Sequence, residues 1–336
     1  MFIRVAIVKL SAMGDIIHAM LALQFIKKSY PNIVIDWFVE KAFIGVLENN
    51  PHIDNIYALD LKSIKKNKKK LFSQIRLIKT YSKNNYDLVI DAQGLIKSAI
   101  VTRILGKNRF GFSKTSTRES LASRLYTKKV DSSYSKNVIE RNLDVLLKPL
   151  KIIYNEEQIL NKEAFLFFEE KVDFTSYLSK SKKNILLVPG ASWSSKMYSK
   201  EKYAKICKNI DANFLLAWGN EEEKEIVEFI SKNSSAVVLP KLSLNDLKTL
   251  VSKIDLLVGN DTGPTHMAWA LNVPSITIFG CTPGYRNTYE TKINKIIESK
   301  TIVNPEKLNK EDFSIKEIDE NVIMRMMKEM LFEGKC

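Results

Sequence analysis

Short apolar runs alternate with helical patterns along the chain, and this alternation limits the possible folds more than any other feature of the sequence. The first half contains the runs RVAIVKL, VIDWFVE, NIYAL and DLVIDAQG, and the second half contains NILLVPG, NFLLAWG, DLLVGND and SITIFG. Apolar runs separated by helices predict parallel β-α-β units. We therefore predict an α/β protein with two Rossmann-like doubly wound domains.

The alternation stops between residues 149 and 183, and a domain boundary is expected in that stretch. We predict an N-terminal domain over 1–160 and a C-terminal domain over 161–312. A last segment, 313–336, has apolar residues at helical spacing and is expected to pack back on the N-terminal domain. Two doubly wound domains that face a central cleft would bind ligands at the carboxyl ends of their strands.

Helical patterns fill the spaces between the apolar runs. In the first half they cover 15–29, 42–49, 71–84, 95–105, 117–126 and 136–148. In the second half they cover 199–210, 221–233, 243–253 and 263–271. We expect the chemistry of the protein in the loops that lead from the strands into these helices.

The chain has three cysteines, Cys207, Cys281 and Cys336, which are widely spaced and form no C-x-x-C pair. This spacing argues against disulfides and structural zinc. Residues 1–12 form a strand-like run without the features of a signal peptide. No apolar run approaches the roughly 20 residues of a membrane-spanning helix. We expect a cytoplasmic protein that does not cross a bilayer.

Positive charge dominates the chain. The sequence has 52 Lys and Arg against 38 Asp and Glu, a net charge of +14. Such a charge attracts nucleic acid, anionic lipid or an acidic substrate. Its densest part is LKSIKKNKKKLF, which contains Lys62, Lys65, Lys66, Lys68, Lys69 and Lys70. This run is equally consistent with a solvated loop and with an anion-binding site.

A predicted buried strand leads directly into a helix in DLLVGNDTGPTHMAWALN. At the junction, Gly263 would let a ligand approach the backbone, and Pro264 suits a first helical turn. The free amides and the helix dipole would attract a phosphate there. Alternatively, Asp261 or Thr262 only caps the helix and His266 only packs. The segment contains neither a dinucleotide fingerprint nor a P-loop motif.

The loop VPGASWSSKMYSKEKY follows another predicted strand and offers Ser192 and Lys196 to a ligand. A lysine here would neutralise a leaving diphosphate, which would make a metal ion unnecessary. The same residues also suit a polar loop that starts a helix near Ser199. After the next strand, Glu221 would accept hydrogen bonds from ribose hydroxyls, or would simply belong to an acidic first helical turn.

A single carboxylate, Asp15, stands in KLSAMGDIIHAM where the first strand gives way to a helix. One interpretation makes it a cap at the helix N-terminus. The other makes it a general base that accepts a proton from an attacking hydroxyl, with Gly14 allowing close approach. We favour the base, because the end of this strand faces the expected cleft.

Polar and basic residues begin other helices at the same edge of the first domain. Gathered together they would suit an acidic acceptor, although each would equally suit the protein surface. These residues are Lys97, Arg118, Asn137 and Arg141.

Six segments together resemble the ADP-heptose glycosyltransferase family, and within it the lipopolysaccharide heptosyltransferase I group. In chain order they are KLSAMGDIIHAM, DAQGLIKSA, TRESLASRLY, LAWGNEEE, LPKLSL and GNDTGPTHMAWAL. The resemblance implies the GT-B form of the two-domain fold. It also implies transfer of L-glycero-D-manno-heptose from ADP-heptose to the inner Kdo of Kdo2-lipid A, with inversion at the anomeric carbon. No metal or other cofactor is required in such enzymes.

The resemblance also implies roles for individual residues. The general base falls on Asp15, and Lys196 assists departure of the diphosphate. Donor contacts fall on Ser11, Ser192, Lys196, Glu221, Leu242, Asp261, Thr262, Gly263 and His266. Acceptor contacts fall on Lys62, Lys65, Lys66, Lys97, Arg118, Asn137 and Arg141.

The surplus positive charge then fits an anionic lipid acceptor, and we expect peripheral association with the anionic cytoplasmic face of the inner membrane. The nearest alternative is heptosyltransferase II or another ADP-sugar transferase with a different core acceptor. A nonenzymatic nucleic-acid-binding protein is a remote alternative, because no aromatic platform or nucleic-acid module accompanies the lysines.

Overall fold

The computed structural model describes residues 3–333, with the backbone alone at Lys65 and Glu333. The chain divides into two compact units, residues 1–167 and 168–336. Each unit is built on one six-stranded sheet, and its strand pairs are parallel. The predicted α/β class with two doubly wound domains is therefore confirmed. The division between the units falls inside the stretch where the alternation of the sequence stops.

The sheet of the first unit consists of β1 (Arg4–Val8), β2 (Val34–Glu40), β3 (Asn55–Leu59), β4 (Leu88–Asp91), β5 (Arg109–Phe112) and β6 (Lys128–Val130). The strand order is β3-β2-β1-β4-β5-β6. β1 and β4 are central and almost completely buried, which explains why both are continuous apolar runs. The order reverses between β1 and β4, so the loops that follow these strands meet at the switch point of the sheet.

The α-helices described in this unit are α1 (Met13–Met20), α2 (Ala22–Ser29), α3 (Ile44–Leu47), α4 (Lys70–Ser82), α5 (Ile96–Leu105), α6 (Val138–Leu147) and α7 (Glu156–Leu160). Short 3-10 turns lie at Lys41–Phe43, Lys62–Lys65, Ser120–Leu125 and Lys148–Leu150. α4 and α5 cover one face of the sheet, where Ile78, Val101 and Leu105 join Ala6 and Val8 in one core cluster. α1 and α2 pack against α6.

Two helical patterns of the first unit fold differently from the prediction. The predicted helix 15–29 divides at Leu21, where the Gln24 N–H donates to Leu21 O at 3.3 Å in a tighter turn. The pattern at 117–126 forms only the 3-10 turn Ser120–Leu125. Tyr126 then takes an extended conformation, and its hydroxyl donates to Asp91 Oδ2 at 2.7 Å. This bond to a buried carboxylate holds Tyr126 outside the helix.

The sheet of the second unit consists of β7 (Asn184–Val188), β8 (Asn213–Leu216), β9 (Val237–Val238), β10 (Leu256–Asn260), β11 (Ser275–Phe279) and β12 (Asn294–Glu298). Its order, β12-β11-β10-β7-β8-β9, is that of the first sheet read from the other edge. The switch point therefore lies between β7 and β10.

The α-helices described in the second unit are α8 (Lys200–Asn209), α9 (Glu221–Lys232), α10 (Leu244–Val251), α11 (Gly263–Ala270), α12 (Gly284–Asn287) and α13 (Glu320–Lys328). Short 3-10 turns lie at Ser194–Lys196 and Ser314–Glu317, and a π-helical turn covers Glu329–Glu333. Ile206 of α8 and Ile230 of α9 pack with Ile185 and Leu187 of β7 in the core. α10 and α11 pack against each other.

The segment predicted to pack on the N-terminal domain contributes to the core of the second unit. Ile323 and Met327, one turn apart on α13, are fully buried in the same cluster as Ile206. Lys205 Nζ on α8 lies 3.0 Å from Glu320 Oε1 at the start of α13. The apolar residues at helical spacing in this segment therefore pack against α8. Residues 334–336 lie outside the described part of the chain.

The two described cysteines, Cys207 and Cys281, are free and buried, and Cys336 lies outside the described residues. Within residues 3–333, no helix is both long enough and apolar enough to span a membrane.

Candidate active site

Asp15 lies in the first turn of α1, directly after the central strand β1, and its side chain is half-buried. Its Oδ2 accepts a hydrogen bond from the Ala12 N–H at 3.3 Å, which is a long contact for a charge-assisted bond. The carboxylate thus caps the loop weakly while part of it stays open to solvent. Capping and proton acceptance are compatible in this position.

The loop that carries Asp15 is fixed by the loop after β4. Gln93 Oε1 accepts the N–H groups of Leu10 and Ser11, both at 3.0 Å. Asp91 holds the Gln93 loop in turn, since its Oδ1 accepts the N–H groups of Gln93 at 2.8 Å and Gly94 at 3.0 Å. Burial raises the pKa of Asp91, and these hydrogen bonds oppose that rise. The two loops at the switch point therefore form one connected structure.

A buried lysine lies beneath the same loops. Lys9 Nζ donates to Ala92 O at 2.9 Å and to Asn142 Oδ1 at 3.2 Å. Burial lowers the pKa of Lys9, while the charges of Asp15 and Asp91 act to raise it. Lys9, Asp91 and Gln93 were not predicted from the sequence. Lys9 could have been identified as a lysine at the end of an otherwise apolar run, RVAIVKL.

The residues predicted to bind the acceptor fall into an exposed group and a structural group. Lys97, on the first turn of α5, and Arg118, after β5, are exposed. Lys62 and Lys66 are exposed in and beside the 3-10 turn after β3, and Lys62 Nζ lies 4.9 Å from the centre of the Phe43 ring. The Lys65 side chain lies outside the described part of the chain.

Asn137 and Arg141 make hydrogen bonds that stabilise the fold of the first unit. Asn137 caps α6, since its Oδ1 accepts the Ile139 N–H at 2.8 Å. Arg141 is buried, and its guanidinium donates to three backbone carbonyls, those of Ser116, Ser132 and Ser133. These bonds join the loops after β5 and β6. Arg141 therefore positions loops and does not present an exposed charge to an anion.

In the second unit, Asp261 is the centre of a buried polar cluster. Its Oδ2 lies 2.6 Å from Lys196 Nζ and accepts hydrogen bonds from Thr282 Oγ1 at 2.9 Å and Asn287 Nδ2 at 3.2 Å. Its Oδ1 lies 3.1 Å from His266 Nε2, which donates because a carboxylate only accepts. Burial alone would raise the pKa of Asp261, but Lys196 and His266 hold it well below its usual range.

The cluster joins loops that follow three strands of the sheet. Lys196 ends the 3-10 turn after β7, Asp261 follows β10, and Thr282 follows β11. Asn260 locks the first two loops together, because its Oδ1 accepts the Tyr198 N–H at 3.1 Å and its Nδ2 donates to Pro189 O at 2.6 Å. The predicted donor residues Lys196, Asp261 and His266 are thus in direct contact. Thr282 and Asn287 were not predicted.

The remaining predicted donor residues lie in loops after strands of the same sheet. Thr262 is half-buried, and Gly263 begins α11 beside Asp261. Ser192 is exposed in the loop after β7. After β8, Glu221 is exposed in the first turn of α9 and lies 3.7 Å from Lys224 Nζ.

Leu242, also predicted as a donor contact, is half-buried in the loop between β9 and α10. Ser11, on the first unit, is half-buried in the Asp15 loop. The structure brings Lys196, Asp261, Thr262, Gly263 and His266 together and places Ser192, Glu221 and Leu242 in neighbouring loops. Over the described residues, no group of three or more His, Cys, Asp or Glu is arranged to hold a metal ion.

Comparison with known proteins gives a consistent result. The family model for glycosyltransferase family 9 (heptosyltransferase) matches residues 74–321. A lipopolysaccharide heptosyltransferase 1 from Campylobacter coli is 44% identical over 97% of this chain and 98% of its own length. The lipopolysaccharide heptosyltransferase 1 of Pseudomonas aeruginosa is 30% identical over 85% of this chain and 81% of its own length.

A solved structure of the E. coli heptosyltransferase WaaC with ADP shares the fold. The TM-score is 0.80 at 23% identity, covering 98% of this chain and all of the other. At this level of identity the likeness establishes the fold alone, which is the GT-B fold expected from the sequence.

Proposed function

The chain belongs to glycosyltransferase family 9, the heptosyltransferases, and from that premise we propose that it transfers L-glycero-D-manno-heptose from ADP-heptose to the inner Kdo of Kdo2-lipid A. It is an enzyme of lipopolysaccharide inner-core synthesis that uses ADP-heptose as its substrate. The observation that carries the choice of acceptor is the 44% identity, over nearly the whole chain, with a lipopolysaccharide heptosyltransferase 1. This identity favours heptosyltransferase I over heptosyltransferase II.

In the proposed reaction, Asp15 acts as the general base. It accepts the proton of a Kdo hydroxyl as that oxygen bonds to the anomeric carbon of the heptose, and the bond from that carbon to the β-phosphate oxygen breaks with inversion. The half-buried, weakly capped carboxylate supports this role, because one of its oxygens has capacity to accept a proton. The connected loops around Gln93 hold it in place.

The departing ADP gains negative charge, and we assign its stabilisation to the second unit. An ammonium group has three donors, and the contact of Lys196 with Asp261 uses one of them. The others, together with the amides at the start of α11 near Thr262 and Gly263, suit a diphosphate. Ser192 would add a hydroxyl donor. This arrangement provides charge stabilisation without a metal ion.

We assign the other donor contacts by position. Glu221 and Leu242 follow β8 and β9, on one side of the diphosphate loop, and suit the ribose and adenine. Asp261 and His266 suit the hydroxyls of the heptose. Ser11, in the loop that carries Asp15, is the one donor contact that we assign to the first unit.

For the acceptor, the exposed cations Lys62, Lys66, Lys97 and Arg118 suit carboxylates and phosphates, and Lys65 is assigned with them from the sequence. Asn137 and Arg141 support the loops behind them. Because this acceptor is a lipid, we place the enzyme at the anionic cytoplasmic face of the inner membrane.

The decisive experiment compares two acceptors, Kdo2-lipid A and the same molecule already bearing one heptose. We expect ADP release and heptose transfer with the first acceptor only. Transfer to the second acceptor alone would instead assign heptosyltransferase II activity. The assay is run in EDTA, and transfer that appears only after magnesium is added would contradict the metal-free mechanism.

A further inference from the structure

The net positive charge of the chain comes from one segment. Residues 61–130 contain 18 Lys and Arg against three acids, Asp87, Asp91 and Glu119, a net charge of +15. The rest of the chain has 34 Lys and Arg against 35 Asp and Glu. The surplus charge of the protein therefore belongs entirely to the part of the first unit that includes α4, α5 and the 3-10 turn Ser120–Leu125.

Large apolar side chains are exposed on the same three elements. On α4, Phe72 is 77% exposed and Leu71 is 42% exposed. On α5, Ile96 and Ile100 are 39% and 45% exposed, and Leu121 on the 3-10 turn is 54% exposed. α5 packs against both α4 and the 3-10 turn, so the three elements are neighbours, and we call their exposed face the α4–α5 surface.

Exposed cations are interleaved with these apolar residues. Arg76 follows Phe72 by four residues, Arg103 follows Ile100 by three, and Arg124 follows Leu121 by three. Residues three or four apart on a helix lie on the same face. Apolar and cationic side chains therefore share the outer face of each element.

The three acids of the segment are already counted in its net charge of +15. Asp91 is buried at the end of β4. Asp87 accepts the Arg4 N–H at 2.8 Å, and Glu119 accepts the Ile96 N–H at 2.7 Å. Each acid is thus tied to backbone donors of the first unit.

We propose that the α4–α5 surface docks on a lipid bilayer with anionic headgroups. Single exposed apolar residues are common in soluble proteins. Several of them beside exposed Lys and Arg provide the two attractions that bind a protein to an anionic membrane, which are burial of apolar area and attraction to the headgroups. The cations would bind the headgroups, and Phe72, Ile100 and Leu121 would enter the boundary with the acyl chains. Nucleic acid would account for the cations but not for exposed Leu and Ile.

The position of the surface fits the chemistry. α4 and α5 follow β3 and β4, so both helices begin at the carboxyl edge of the sheet, where Asp15 lies. The loop that leads into α5 carries Gln93, which bonds to the backbone of the Asp15 loop. A bilayer on this surface would hold the headgroup layer beside the catalytic base. The inference rests on the proposed function, which supplies a lipid-linked acceptor.

Vesicle co-sedimentation of the full chain tests the proposal. The vesicles contain phosphatidylethanolamine with phosphatidylglycerol, or phosphatidylcholine alone. We expect the wild type to bind the anionic vesicles and to bind less as salt rises. The triple variant Phe72→Ser, Ile100→Ser, Leu121→Ser should bind them about tenfold more weakly, since it loses buried apolar area but no charge.

A matched control removes exposed apolar side chains from other places. Ile153 and Ile302 are 90% and 97% exposed, and the double variant Ile153→Ser, Ile302→Ser should bind vesicles like the wild type. Equal binding by the wild type and the triple variant would overturn the proposal. Equal binding of the wild type to phosphatidylcholine would overturn it as well.

Two further outcomes would reassign the surface and so overturn the proposal. A triple variant that binds vesicles normally but no longer self-associates would make the surface a contact between copies of this chain. One that binds vesicles normally but loses affinity for RNA would make it a nucleic-acid surface.

Heptose transfer to Kdo2-lipid A dispersed in detergent separates failure of this proposal from failure of the function. We expect the triple variant to retain this transfer, which also shows that it is folded. Full transfer in detergent with unchanged vesicle binding by the variant would overturn the docking surface alone. Absence of transfer by the wild type would overturn the function, and the vesicle comparison would still decide the surface.

Discussion

At the scale of single residues, the assignment with the largest consequence is Asp15. Replacement by Asn keeps the shape and the oxygen that accepts the Ala12 N–H, but removes the ability to take a proton. We expect Asp15→Asn to lower the transfer rate about 10²- to 10⁴-fold. ADP-heptose binding, measured by calorimetry on the same sample, should be unchanged. A variant with near-normal turnover would show that another group accepts the proton.

The sequence identified several donor-site residues but not how they interact. Asp261, Lys196 and His266 were each recognisable in loops after strands, whereas their contact depends on the order β10-β7 in the folded sheet. Thr282 and Asn287 could not be selected, because they lie 21 and 26 residues from Asp261 in sequence. Arg141 was selected from the sequence as an exposed charge near the start of a helix. The sequence does not reveal that its guanidinium is buried against backbone carbonyl groups.

At the scale of secondary-structure elements, the loop after β4 positions the loop that carries Asp15. Gln93→Leu would leave the N–H groups of Leu10 and Ser11 without their acceptor, and the cost is at most the roughly 1–3 kcal/mol of a fully buried group for each. We expect kcat to fall about tenfold or more as Asp15 loses its position. The KM for ADP-heptose should change less than kcat, because Ser11 is the one assigned donor residue on this loop and the others belong to the second unit.

A second variant separates positioning from simple loss of structure. Gln93→Glu keeps a side-chain oxygen that can accept both N–H groups. We expect its kcat to be higher than that of Gln93→Leu, because the loop that carries Asp15 keeps its acceptor. Equal kcat values for the two variants, or full activity in Gln93→Leu, would contradict the positioning role.

Element boundaries were predictable where local pattern and burial agree. β1, β4, β7 and β10 are buried on both faces and read as continuous apolar runs, so their ends fell close to the predicted positions. The 3-10 turn at Ser120–Leu125 was not predictable, because it ends at Tyr126, whose hydroxyl bonds to Asp91, 35 residues away in sequence. The location of α13 likewise depends on the apolar face of α8, which the helix pattern alone does not identify.

At the scale of the whole molecule, each unit has its own sheet and core, and most donor residues belong to the second. ADP at about 100 times its Kd should raise the free energy of unfolding of the unit that binds it by about 2.7 kcal/mol. We expect hydrogen exchange of the full chain to slow in the loops after β7 and β10 and at the start of α11. The variant Lys196→Met should show little of this protection. Slowing confined to the loops after β1 and β4 would place the nucleotide in the first unit.

The concentration of net charge in residues 61–130 would also orient the enzyme if the α4–α5 surface docks on lipid as proposed. Because the rest of the chain is nearly neutral, the surplus charge lies in the first unit, and a negatively charged leaflet would exert a torque on it from about one Debye length, roughly 8 Å in the cell. Rotation would then precede collision, with the α4–α5 surface leading. Fewer encounters would occur in an unproductive orientation, so acceptor capture should be fast even where lipid intermediates are scarce.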